Sequence, residues 1–519
     1  ERRLMNVVEE MALASGIPVP SVYVLDNEQG INAFAAGRTT ADAVVAVTRG
    51  ALDQFTRDEL QGVIGHEFSH ILNGDMRLNI RLIGLLGGLL ALATVGRIVW
   101  RLGSVGRKKD GMAFAVLGLA VMLIGYIGVL VGRLLQAAIS RQREFLADAS
   151  AVQFTRNPQG IGGALRRIAG WGNGSKVVSP NAEESSHMFF GAPLASLFAS
   201  HPPLGERIRR LEGARAVPEG IPGRGEEPSA AAASAVAGLA GGLGAHASHR
   251  SSGFADGLGR LSPETVAAGG GVLAAIPQQV RDTVDTPLGA SALTCALLLD
   301  QDPGLRQKQL DRLSALGGEL VARETAALYP RLSSMPDSMR LPLLDLALPA
   351  LRELSRTQML KLAEALRELA RADDRITPFE FCTLWLVERR VGLLSGRMRS
   401  RSKSLSVAEY RRHVAVLLSA MAWAGGASRE DAVAAFCAGA TPLDSSLTGI
   451  DLLPPEAAMS ALGRTLDALA AAGARPRSQA WLACERTVLA DRQVRVEELE
   501  LLRVVGLALD LPLPPRLER

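Results

Sequence analysis

The sequence predicts a mainly α protein. A helical domain with a small β-sheet carries an inserted transmembrane helical hairpin, and an all-α C-terminal domain follows. Three observations predict this. Apolar residues make up 48% of the 519 residues while aromatics make up only 4%, and 53 residues are Gly. That balance suits membrane helices and closely packed helical bundles better than a β-sandwich. Two long apolar runs, Leu82 to Gly96 and Met112 to Gly132, lie in the first third of the chain. From Ser262 onward Leu and Ala recur at helical spacing, with no convincing strand.

The elements follow in order. Residues 1–15 read as an amphipathic helix stopped by Gly16. Val22 to Leu25 and Val44 to Val47 read as short strands, and Asn32-Ala33-Phe34-Ala35 between them could be a third. Thr56-Arg57-Asp58-Glu59 reads as an N-cap with acids in the first turn. Leu60, Val63, Ile64, Phe68 and Ile71 then form an apolar stripe. Met112 to Gly132 is 21 residues without a charge, enough to span a bilayer core. Leu82 to Gly96, bounded by Arg81 and Arg97, is shorter and could span if those arginines snorkel. A buried hairpin in a soluble core is the alternative, and the length of the second run argues against it. Residues 133–170 read as helix, 171–212 as mixed, ending in a basic helix from Pro203 to Leu211. Residues 213–261 have the Gly/Ala/Pro/Ser composition of a flexible linker. Residues 262–519 form the C-terminal helical domain, expected to fold on its own. Two stretches in it look alike, about 340–400 and 455–519. Each has an acidic turn, around Asp373-Asp374 and Asp491, leading to Glu380 and Glu498. Such a turn could hold a metal, but N-capping is the commoner use.

The chemistry lies in His66-Glu67-Phe68-Ser69-His70, an H-E-x-x-H motif. On a helix, positions i and i+4 share a face, so His66 and His70 can offer two imidazoles to one zinc ion. Glu67 lies about 100° around the axis. It can reach the open coordination position and act as base toward water there. A catalytic zinc takes three protein ligands. Arg143-Glu144-Phe145-Leu146-Ala147-Asp148, just after the second apolar run, supplies a candidate. Glu144 could complete the set, while Asp148 on the same face orients a ligating imidazole. Read alone, the two acids could instead be surface partners of Arg141 and Arg143.

Other features mainly exclude. The net charge of +4 gives no reason to expect nucleic-acid binding. The four cysteines, Cys295, Cys382, Cys437 and Cys484, are widely spaced, without a C-x-x-C pair or a disulfide framework. Reduced thiols in a cytosolic domain are expected. The chain opens on Glu1 within an apparent helix, which leaves room for membrane helices upstream.

Together, His66 to His70, Asn73-Gly74-Asp75, Glu144 to Asp148 and His201-Pro202-Pro203 resemble the motifs of HtpX-type membrane zinc metalloproteases, relatives of the CaaX prenyl proteases. The resemblance covers residues 1–212. It implies a gluzincin-like zinc metallopeptidase domain interrupted by the hairpin at about 82–132, with one zinc per chain on His66, His70 and Glu144. It implies Glu67 as the base, Asp75 and Asp148 behind the ligands, and His201 and Arg207 near the metal as donors to an oxyanion. Asn32, Ala33 and Phe34 match a strand edge that an extended substrate could join. The setting implied is the bacterial inner membrane, multi-pass, with the catalytic domain facing the cytoplasm and misfolded or damaged membrane proteins as substrates. The acidic-turn repeats weakly resemble TerB-like domains and suggest an unidentified partner for the C-terminal region. Two competing readings are a non-catalytic membrane scaffold acting through those helices and a CaaX-type prenyl protease. An intact Glu67 argues against the first, and too few membrane helices against the second.

Overall fold

The structure is a computed structural model, and it describes residues 1–105, 109–170, 202–212, 262–373, 376–394, 405–426, 428–441, 450–491, 493–509 and 511. The expected linker 213–261 and His201 lie outside the described residues.

Helix α1 (Arg2–Ser15) buries Leu4, Val7, Val8 and Met11, one face of a helical repeat. Three short strands follow, β1 (Ser21–Leu25), β2 (Ala33–Ala36) and β3 (Val44–Thr48). Their order is β1-β3-β2, with β1 parallel and β2 antiparallel to β3, so β2 lies at the sheet's edge among the described residues. Helix α2 (Arg49–Gln54) leads to α3 (Arg57–Asn73), which carries the motif. A capping box starts α3: Thr56 Oγ1 accepts from the Glu59 N–H at 3.3 Å, and Glu59 Oε2 accepts from the Thr56 N–H at 2.8 Å. Arg167 braces the same carboxylate at 2.9 Å. Gly74 ends α3 at φ 70, a left-handed turn that a side chain would resist, and α4 begins at once.

The apolar runs belong to helices longer than their hydrophobic cores. Helix α4 covers Asp75–Val105 and α5 covers Lys109–Thr155. The apolar run Leu82 to Gly96 lies within the longer α4, because Arg77, Arg81, Arg97 and Arg101 flank it without breaking the helix. The two helices pack closely along small residues. A Cβ on Gly118 would lie 2.2 Å from the Trp100 nitrogen. Their outer faces expose Leu85, Leu90, Phe114, Val116, Ile124 and Ile127. Both are long and apolar enough to cross a membrane. The last turns of α5 leave that zone and bury Ala147, Ala151 and Phe154 in the peptidase core. Helices α6 (Pro158–Gly170) and α7 (Leu204–Glu212) complete this part.

The C-terminal region is helical where described. Its helices are α8 (Pro263–Ala275), α9 (Gln278–Val284), α10 (Pro287–Ala296), α11 (Pro303–Gly317), α12 (Glu319–Leu332), α13 (Arg340–Leu351) and α14 (Arg356–Ala370). Then come α15 (Pro378–Leu394), α16 (Val407–Gly425), α17 (Arg429–Ala440), α18 (Pro455–Ala470), α19 (Ala474–Val488) and α20 (Val496–Leu509). The similar stretches fall on α13–α15 and α18–α20, and α15 packs against α20. In both acidic turns the carboxylate caps a helix. Glu380 accepts from the Thr377 N–H at 2.8 Å, and Glu498 from the Arg495 N–H at 2.8 Å.

The two regions meet in a packed junction. Helix α8 crosses α1 so closely that a Cβ on Gly269 would meet the Glu10 carbonyl at 2.6 Å. Arg281 reaches Asn6 at 2.5 Å and Glu9 at 3.1 Å, and Arg2 pairs with Asp282 at 2.8 Å. Composition changes sharply at the linker, but the apolar faces on either side of it are buried against each other.

Candidate active site

Helices α3, α5 and α7 bring six polar side chains together in an interior that sequence spacing alone does not assemble. His66, Glu67, Glu144, Asp148 and Arg207 are buried, and His70 is nearly so. His66 Nε2 and His70 Nε2 face each other at 3.2 Å. Glu144 closes the triangle, with Oε2 3.6 Å from His66 Nε2 and Oε1 3.5 Å from His70 Nε2. Zinc bonds to nitrogen and oxygen of about 2.0–2.2 Å put tetrahedral ligand atoms roughly 3.3–3.6 Å apart. With one atom from each residue the group lies within 4.8 Å, and the donors, two imidazoles and a carboxylate, suit a catalytic zinc.

The other imidazole nitrogens are held from behind. Asp148 Oδ1 lies 2.9 Å from His66 Nδ1, and Asp75 Oδ2 lies 2.8 Å from His70 Nδ1. Each carboxylate favours the tautomer with its proton on Nδ1, leaving the Nε2 lone pair for a cation. The carboxylates are braced in turn. Arg207 forks onto Asp148, with Nε 2.8 Å from Oδ2 and Nη2 2.6 Å from Oδ1, while its Nη1 lies 3.2 Å from Glu144 Oε2. Asp75 pairs with Arg143.

Burial shapes the protonation states. It pulls the His66 pKa down to about 4, against Asp148 and Glu144, so the ring is neutral at pH 7. For His70 burial also acts downward, but hydrogen bonding and charge from Glu144 outweigh it and the net shift is upward. Burial pushes Glu67 up to about 7. His70 and a backbone hydrogen bond from Ala35 act downward on it, and Glu144 acts upward. A carboxyl group near neutrality can both take and return a proton.

The edge strand β2 lies beside α3. Asn32 fixes its start: Oδ1 accepts from the Ala33 N–H at 2.9 Å, and its own N–H donates to Thr48 Oγ1 at 2.9 Å. Ala33 is buried and Phe34 half-buried. Sequence reasoning missed two contacts. Arg143, read as a partner for its neighbours, instead reaches Asp75 at the foot of α4. Ala35 meets Glu67 through its main chain, which no side-chain pattern reveals.

An H-E-x-x-H helix completed by a carboxylate from a second helix defines the class: a metallopeptidase. The model for Peptidase family M48 matches residues 1–215. Relatives named Protease HtpX homolog align over the same part. That of Streptococcus uberis is 38% identical over 218 residues, covering 40% of this chain and 71% of the relative. That of Caldanaerobacter subterraneus subsp. tengcongensis is 41% identical over 219 residues, with the same coverage. That of Thermoanaerobacter pseudethanolicus is 40% identical over 216 residues, again covering 40% and 71%. No solved structure matches. The chain belongs to peptidase family M48, as an HtpX-type membrane metalloprotease.

Proposed function

We propose that this chain is a zinc-dependent endopeptidase that cleaves misfolded or damaged membrane proteins at the membrane surface. The observation that carries the reading is the convergence of His66 Nε2, His70 Nε2 and the Glu144 carboxylate beside buried Glu67. Those three residues would hold the zinc, which when bound polarises the scissile carbonyl and acidifies water. Glu67 takes the proton from the attacking water and passes it to the leaving amine. Its pKa of about 7 suits both transfers. Asp148 and Asp75 keep the imidazoles oriented. Arg207 reads as the brace of Asp148 and Glu144 more than as an oxyanion donor, because all three of its nitrogens face those carboxylates. That leaves the oxyanion role to His201. A substrate in extended form would lie along β2, which has one strand neighbour among the described residues, where main-chain hydrogen bonds tolerate many sequences. The site lies near the foot of α4, so it would act close to the bilayer. The membrane is proposed to be the bacterial inner membrane, with the catalytic domain on the cytoplasmic side.

The test is zinc content and casein or membrane-protein cleavage of the purified chain. About one zinc per chain, lost together with cleavage in His66→Ala and Glu144→Ala, is expected. Full zinc occupancy in Glu144→Ala would remove Glu144 from the set. Cleavage restricted to prenylated peptides would favour the narrower prenyl-protease reading, and zinc binding without any cleavage would favour a scaffold.

A further inference from the structure

The residues between β2 and β3 form a compact knot. Asp42 Oδ1 accepts from the Arg38 N–H at 3.0 Å, the Thr39 N–H at 2.6 Å and the Thr39 hydroxyl at 2.8 Å. A segment tied on itself this way transmits a displacement instead of absorbing it. Two outside arginines hold it. Arg77, in the first turn of α4, donates from Nε to the Arg38 carbonyl at 3.2 Å. Arg352, at the end of α13, donates from Nη2 to the Ala41 carbonyl at 2.9 Å, and from Nη1 to the Ala43 carbonyl at 3.3 Å and Ser21 Oγ at 3.0 Å. One guanidinium thus grips the end of the sheet where β1 starts, β2 leaves and β3 enters, in the register Ser21↔Val44 and Ala36↔Val44.

The apolar part of this seam does not fix the register alone. A cavity of about 40 Å³ lies there, lined by Pro18, Ala41, Leu348, Leu351, Met359 and Trp385 among others. The polar contacts of Arg352 are directional where the packing is loose. Ala35, which meets Glu67, is six residues from Ala41 along the chain, with Ala36 of β2 and the first residues of the knot between them.

We infer that Arg352 is a positioning residue, through which the C-terminal helical region sets the edge strand β2 beside Glu67 and so tunes how an extended peptide docks. Arg352 touches neither the metal ligands nor Glu67; it acts through the knot. The kinetic part of this inference rests on the peptidase reading, and the structural part does not.

The experiment uses the full chain, comparing Arg352→Ala, Arg352→Lys and the exposed control Arg312→Ala. Hydrogen exchange over residues 33–48 and steady-state cleavage of an extended peptide are both measured. In Arg352→Ala, exchange in that segment is expected to rise, and KM to rise about tenfold, the effect of one charge-assisted hydrogen bond, with kcat and zinc content near wild type. Arg352→Lys should recover part of both, since an ammonium can serve one carbonyl but not the fork. Arg312→Ala, which breaks only a surface pair with Glu368, should change neither. Wild-type exchange and KM in Arg352→Ala would overturn the inference. So would a fall in kcat together with zinc loss, which marks a general structural role. If the wild-type chain cleaves nothing, the peptidase reading fails, and exchange over residues 33–48 still decides whether Arg352 holds the strand.

Discussion

Two clusters of buried charge can be compared, one in each half of the chain. In the peptidase half, His66, Glu67, Glu144, Asp148 and Arg207 are each at most 5% exposed. In the helical half, Asp345, Glu500 and Arg503 are each at most 4% exposed. Both contain acids lifted by burial. Glu67 is pushed up to about 7, Asp345 to about 6 with Arg503 pulling against burial, and Glu500 to about 8 with Arg340 pulling against it. By burial and protonation alone the second cluster would pass for an active site. The difference is direction. Beside Glu67, two imidazole nitrogens and the two oxygens of Glu144 converge with contacts of 3.2–3.6 Å, and each imidazole has a carboxylate behind it. In the helical half, Asp345 meets Arg503 head-on, which closes the pair on itself. Convergence of ligand atoms marks function here; buried charge without it marks architecture.

The sharpest way to break this contrast is to neutralise one acid on each side. Glu67→Gln should lower kcat by roughly 10²–10⁴ while retaining zinc and the thermal midpoint, because the amide keeps shape but cannot move a proton. Glu500→Gln should leave cleavage unchanged and hold or raise stability, since it removes a buried acid with an upward-shifted pKa. Comparable loss of turnover in both variants would mean that the second cluster serves catalysis, and the contrast would fail.

The next effect is on stability. Asp345→Ala strands the Arg503 guanidinium in the interior, and loss of one partner of a buried pair costs about 3–5 kcal/mol. Replacing both, as Asp345→Leu with Arg503→Met, should recover most of that, because a well-packed apolar pair is often as stable as a buried ion pair. Denaturant titration reads both. An additive double variant would show that the two residues are not coupled. On the peptidase side, Arg207→Met should act differently. Metal affinity should fall roughly 10–100-fold, as when an outer partner of a ligand is removed, and competition with a chelator measures it. Unchanged affinity would mean that the fork on Asp148 and Glu144 does not orient them.

How much of this was readable beforehand follows from the range over which each signal acts. The helix that carries His66 and His70, its Thr56–Glu59 cap and the three strands are set by neighbours a few residues apart, and their patterns are visible in the sequence. Glu144 and Asp148 were found because i, i+4 spacing and the resemblance pointed to the same residues. The fork of Arg207 was not readable. It joins residues 59 apart in sequence, and an arginine in a basic helix looks like any solvated charge. The packing of α8 on α1 was hidden for a similar reason. Gly269 is the residue that allows the close approach, and a glycine amid small residues carries no signature of its partner. Arg352 gives no hint either, since its acceptors are main-chain carbonyls.

The smallest predicted effect concerns a third buried acid, Glu9, at the junction of the two halves. It sits on α1 against α9, and burial pushes its pKa up to about 7. Arg281 pulls downward, while Asp285 and Glu10 push upward. The folded chain therefore binds this proton more tightly than the unfolded chain, where the value is 4.5. Below the unfolded value both states are protonated and the junction has its full stability. As pH rises through about 7, the folded state must hold an increasingly ionised carboxylate in the interior, and stability is lost. The part of the loss that falls between about pH 6 and pH 8 should be on the order of 1–2 kcal/mol. Glu9→Gln keeps the size and removes the titration, so its stability relative to wild type should grow between mildly acidic and mildly alkaline buffer. Denaturation midpoints or proteolytic release of the C-terminal helices, followed across that range, give the difference directly. A gap between variant and wild type that stays constant with pH would mean that Arg281, 3.1 Å away, holds Glu9 ionised throughout, and the junction would then behave like the self-contained Asp345–Arg503 pair.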